Sequence, residues 1–102
     1  RLPKYAGIYL KGAVEGVKLI FTADTGATKT IISDRVYNKI SKEKRPQLRK
    51  SASLAGAGGT PLKEFGKAVF HIELGPLKLD REVIVAEIED EGLLGIDVLQ
   101  NE

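Results

Sequence analysis

The sequence contains no Cys, no Met and no Trp, and its one His is His71. Without Cys there is no disulfide scaffold, no thiolate metal site and no Cys nucleophile. A single imidazole excludes a His-rich metal site within one chain, and a Ser-His-Asp triad would have to use His71. No apolar run reaches the ~18 residues of a membrane-spanning helix, and the start lacks the basic-then-apolar pattern of a signal segment. Aromatic residues make up 6% of the chain, few for stacking on bases. The net charge of +2 is too mild to argue for nucleic acid by itself. The lack of Met, with Arg1-Leu2-Pro3 at the start, is expected of a piece cut from a longer chain.

These absences leave carboxylates as the main candidates for chemistry. Apolar residues at 42% and charged residues at 29% are ordinary for a globular protein. A length of 102 residues predicts one domain spanning 1–102. The charge is unevenly spread. Arg35, Lys39, Lys42, Lys44, Arg45, Arg49 and Lys50 face only Asp34 and Glu43 between positions 33 and 50. Between 80 and 91, Asp80, Glu82, Glu87, Glu89, Asp90 and Glu91 face only Arg81. Two solvated faces account for this; the sharper readings are an RNA-contacting patch and an acidic rim that selects basic ligands.

Hydrophobic patterning predicts an all-β domain of short strands with one or two small helices. Strands are expected at 7–10, 17–23, 30–32, 66–74 and 82–88, with a turn over 12–16 and another at Gly75-Pro76. Alternation places Ala68, Phe70, Ile72 and Leu74 on one face of the fourth strand. Ser33 is placed to cap a short helix carrying Val36, Tyr37 and Ile40. Three glycines and a proline between Leu54 and Pro61 predict a mobile hairpin tip, and the segment from Leu93 to Leu99 a last strand leading into a helix. A faint internal echo repeats strand, loop and helix around Asp24 and again around Gly95. OB-type and SH3-type barrels satisfy the same strand pattern.

Asp24-Thr25-Gly26 closes the apolar run Val17–Ala23. Burying a carboxylate at the end of a core strand is costly without partners, so this one has a purpose or a turn to make. Thr25 supplies a hydroxyl, and Gly26 a tight turn with a bare amide donor. That setting suits acid–base chemistry on water. One carboxylate cannot be acid and base at once, whereas two sharing a proton can. Only one such motif is present, so the second carboxylate must come from another copy across a two-fold axis.

Ala23-Asp24-Thr25-Gly26-Ala27-Thr28 resembles the active-site signature of retropepsins, the dimeric aspartic proteases of retroviruses and LTR retrotransposons. Leu93-Leu94-Gly95-Ile96-Asp97 is similar to the family's second signature, and the glycine-rich stretch from Ala55 to Pro61 to its flap. The run from Gly66 through Gly75-Pro76 looks most like proteases of Gypsy-type retrotransposons.

The resemblance implies a retropepsin-like closed β-barrel, half of an aspartic protease, acting as a homodimer with no metal and no cofactor. It implies polyprotein processing with Asp24, Thr25 and Gly26 as catalytic residues. Ala27, Thr28, Ile31, Ala57, Gly58, Gly59 and Leu93 would contact a peptide or polyprotein substrate. For Ile31 and Leu93 plain core packing is an equal expectation. Asp97 is expected to cap the last helix rather than join the chemistry. Glu89-Asp90-Glu91 would lie at a substrate-pocket loop and favour basic residues in the cleaved peptide. The expected setting is the cytoplasm or virus-like particles rather than secretion.

Two departures are visible. The family usually continues into a C-terminal strand, whereas this sequence stops at Gln100-Asn101-Glu102, which predicts a reduced dimer interface or a shortened piece. Thr28 and Lys29 stand where viral members often carry acids. The competing readings are a domesticated retropepsin-like domain of a cellular protein, a weakly active dimerisation module, and a nucleic-acid-binding barrel using the stretch from Arg35 to Lys50. The last leaves Asp24-Thr25-Gly26 unexplained, and nucleic acid is not the expected partner.

Overall fold

The computed structural model describes residues 8–50 and 63–100. The expected hairpin tip from Leu54 to Pro61, with Ala57, Gly58 and Gly59, lies outside the described residues. In chain order the elements are β1 (Tyr9–Val14), β2 (Val17–Ala23), β3 (Ile31–Ser33), α1 (Asp34–Lys39), β4 (Glu64–Leu74), β5 (Leu77–Ala86), β6 (Gly92–Leu94) and α2 (Ile96–Leu99). The strands close a barrel in the order β1-β2-β6-β3-β5-β4. This is the all-β, two-helix architecture that the patterning predicts.

Two antiparallel hairpins carry most of the barrel. β1 pairs with β2 through the turn at Glu15-Gly16, and β4 pairs with β5 through Gly75-Pro76. Alternation along β4 buries Ala68, Phe70 and Ile72 and turns Val69 outward. These side chains meet Leu19, Phe21, Val83, Val85 and Leu94 in the main core. Phe21 and Phe70 are its largest fully buried residues; burying a side chain of this kind contributes about 1.5–3 kcal/mol.

The largest departures from the expected boundaries are in β1 and β5. β1 runs on through Gly12 to Val14, where a turn over 12–16 was predicted. A Cβ at Gly12 would lie 2.6 Å from the Glu73 carbonyl oxygen and 3.0 Å from the Phe21 ring, so glycine serves there to bring β1 against β4. β5 begins at Leu77, well before the predicted start at Glu82, and ends at Ala86. Its early charged residues sit opposite polar residues on β4, Lys78 across from Glu73 and Asp80 across from His71.

The segment after Asp24 depends on β6. This three-residue strand lies between β2 and β3, parallel to β2 and antiparallel to β3. Gly92 is flush with the Phe21 ring, where a Cβ would come within 2.7 Å. Beyond β3, the Ser33 hydroxyl accepts the Val36 N–H at 3.2 Å and caps α1 as expected. α1 ends before the charged run, and Arg45 folds back to donate to the Ile40 and Asn38 carbonyls, its guanidinium 5.2 Å from the Tyr37 ring.

Candidate active site

The last three residues of β2, Phe21 to Ala23, are all buried, and Asp24, the next residue, has no exposed surface. Its backbone N–H donates to the Leu94 carbonyl at 3.0 Å, continuing the β2–β6 ladder by one residue. The side-chain Oδ1 accepts the Gly26 N–H at 3.0 Å, and the Asp24 carbonyl accepts the Ala27 N–H at 3.1 Å. An aspartate that bonds the amide two residues on closes its own turn and fixes its carboxylate. Thr25, Thr28 and Lys29 are exposed at this loop, while Ala27 and Thr30 are buried.

The loop rests on the segment after β6. A Cβ at Gly95 would lie 2.7 Å from both the carbonyl carbon and oxygen of Lys29, and 2.9 Å from the Ala27 oxygen. The Ile96 N–H donates to that same Ala27 oxygen at 2.9 Å. The two halves of the sequence echo thus meet face to face. Asp97 departs from its expected role. The residue at the helix N-cap is Gly95, with no side-chain cap, and Asp97 instead accepts from Thr30 at both oxygens. Asp97 is the second residue of α2, one place past the first helical residue, and so is not at the cap. Sequence reading missed Thr30, which looks like any β-branched residue before Ile31-Ile32; only its partner 67 residues away reveals it.

Among the expected pocket residues, Ile31 and Leu93 face each other across β3 and β6 and are almost fully buried. They form a small second cluster with Ile84, Ala86 and Ile88. Asp24, Thr25, Gly26, Ala27 and Thr28 are contiguous in the loop, and Leu93 enters from β6 beside Thr22. The acidic stretch is partly consumed by internal bonds. The Thr22 hydroxyl donates to Asp90 at 2.7 Å, and the Ile20 N–H to Glu91 at 2.7 Å. Arg35 holds the same stretch through the Ile88 and Glu89 carbonyls.

The arginines of the basic stretch are similarly engaged. Arg45 clamps α1, and Arg49 pairs with Glu82 at 3.0 Å. His71 is a partly exposed strand residue 3.0 Å from Asp80. A groove of about 680 Å³ runs beside Gly12, Lys18 and Glu73; Glu91 of the acidic stretch lines it, and no residue of the Asp24 loop does. Among the described residues no group of three or more His, Asp or Glu could hold a metal ion.

The site is therefore a fully buried carboxylate at a strand end, in a loop held from behind by a second strand-to-helix turn. Solved structures share the fold. The chain superimposes on the EIAV protease complexed with the inhibitor HBY-793 with a TM-score of 0.79, at 20% identity over 97% of this chain and 93% of that one. The retroviral protease-like domain of Ddi1 from Leishmania major gives 0.70, at 16% identity over 98% of this chain and 78% of that one. A retropepsin-like aspartic protease from Rickettsia conorii gives 0.69, at 21% identity over 93% and 78%. Residues 10–101 match the family described as "gag-polyprotein putative aspartyl protease". With nearly its whole length inside that match, and with the retropepsin-like barrel around Asp24, the chain belongs to the gag-polyprotein aspartyl protease family.

Proposed function

We propose that the protein is an aspartic endopeptidase assembled from two copies of the chain, each contributing Asp24. The observation that carries this reading is the fully buried Asp24 carboxylate, fastened by Gly26 and backed by Leu94, in a loop with only one such group. In the dimer one Asp24 takes a proton from a water molecule lying between the pair. The other, protonated, gives its proton to the carbonyl oxygen of the peptide. The water oxygen bonds to the carbonyl carbon, giving a gem-diol. Collapse then breaks the C–N bond as a proton passes to the amide nitrogen, leaving an acid and an amine. Thr25, exposed at the loop, hydrogen-bonds across the two-fold axis. Gly26, Ala27 and Thr28 contact the substrate backbone, with Ile31 and Leu93 at pocket walls.

The family description supports a polyprotein as substrate. The source on this reading is a Gypsy-type element, and the setting the cytoplasm or virus-like particles. A second reading keeps the fold in a cellular host, as a domesticated domain with or without activity. Similarity to the Leishmania and Rickettsia proteins favours keeping it. Asp24→Asn is the test: cleavage of a peptide spanning a flanking polyprotein junction should fall at least ~1,000-fold while the fold persists. Sedimentation run alongside should show a dimer in both proteins; a wild type monomeric at tens of micromolar, or an active variant, refutes the reading.

A further inference from the structure

The loop from Asp24 to Thr30 is fastened at three places. Its start is held by the Leu94 carbonyl and its middle by the Ile96 N–H on Ala27, both backbone contacts that side-chain changes leave alone. Its far end has one backbone bond, the Ile84 N–H donating to the Thr30 carbonyl at 3.1 Å, and is otherwise held through side chains. The Gly95 N–H donates to the Thr30 hydroxyl oxygen at 3.2 Å, the Thr30 hydroxyl donates to Asp97 Oδ1 at 2.8 Å, and the Thr30 N–H donates to Asp97 Oδ2 at 3.2 Å. The direction of this chain of bonds is forced. Gly95 N–H can only donate, so the Thr30 oxygen accepts there and must send its own proton onward. Both Asp97 oxygens then receive donors, an arrangement that a carboxylate satisfies and an amide cannot satisfy fully. Thr30 has no exposed surface, so a lost partner here is not replaced by bulk water.

We propose that Thr30 and Asp97 are a positioning pair for Asp24. Neither reacts; together they hold the far end of the loop against Gly95 and so fix the angle at which the Asp24 carboxylate is presented. The proposal deepens the reading of Asp24 as catalytic and rests on it. It also assigns Asp97 a task that neither helix capping nor acid–base chemistry covers.

The test uses the full chain and four variants. Thr30→Val keeps the shape but removes the hydroxyl, and Asp97→Ala removes both acceptors. Thr30→Ser restores the hydroxyl, and Asp97→Asn keeps one acceptor. Peptide cleavage should show kcat reduced about 10–100-fold in Thr30→Val and Asp97→Ala, with KM moved less than kcat. Thr30→Ser should stay within about threefold of wild type, and Asp97→Asn should fall between. The double variant should lose no more than its worse single, because the two residues act as one unit.

Amide hydrogen exchange at Gly26 and Ala27, read by NMR, should speed up in the same order. Wild-type kcat in Asp97→Ala, a Thr30→Ser loss equal to that of Thr30→Val, or losses that merely track the folded fraction would overturn the proposal. If Thr30→Val does not fold, the Asp97 pair and Thr30→Ser decide. If the wild type cleaves nothing, the catalytic reading fails, and the exchange measurement alone still upholds or overturns the positioning role.

Discussion

In the β4–β5 hairpin, Gly75 has φ of 59°, and nothing lies within 4 Å of where its Cβ would stand. At Gly95 the backbone is extended, with φ of −87°, and a Cβ would strike Lys29 and Ala27. The first glycine is there for its torsion angle and the second for its missing side chain. The hairpin is written into adjacent residues, since Gly75-Pro76 makes the turn and the alternation on either side sets the register. The loop that presents Asp24 takes its shape from residues near the other end of the chain. A turn of the first kind tolerates exchange at a modest torsional cost, while the second is a contact between two backbones and has no slack.

Substitution separates the two. Gly95→Ala should have the largest effect, destabilising by about 3 kcal/mol or more, because backbone on the facing loop cannot move aside cheaply. Thermal melting measures that loss, and any folded protein should cleave peptide far more slowly. Gly75→Ala should cost roughly 1–2 kcal/mol for placing a Cβ in the left-handed region. It should leave kcat unchanged, and a loss of activity beyond the loss of folded protein would erase the distinction. Smallest of all, Arg49→Ala removes an ion pair to Glu82 whose arginine side chain is 62% exposed. Denaturant titration should show a change of ~1 kcal/mol or less, with no effect on cleavage.

The same division explains what could be read in advance. The buried face of β4 is legible because Ala68, Phe70 and Ile72 repeat at period two against one core. Ser33 and Gly75-Pro76 are local signals with local consequences. Asp24 is legible as a candidate because an acid at the end of so apolar a strand demands an explanation, and the structure buries it completely. β5 begins earlier than its pattern suggests because Lys78 and Asp80 resemble loop residues until Glu73 and His71 stand opposite them. Gly12 reads as a turn because glycine gives one signal for two different needs, and here the need is close passage beside Glu73. Thr30 and Asp97 are individually unremarkable, and no local pattern joins residues 67 positions apart.

The placement of β6 also has a consequence in time. Ile20, Thr22 and Thr30 find partners 71, 68 and 67 residues later in the chain. A chain emerging from the ribosome therefore carries Asp24 long before it carries the segment that holds Asp24 in place. Pairings of such long range form slowly, because the intervening chain must be ordered first. The loop can reach its working shape only once Gly92 to Asp97 have been made and inserted between β2 and β3. Until then the nascent protein is a barrel missing a stave, with its carboxylate present and the loop around it still unsupported.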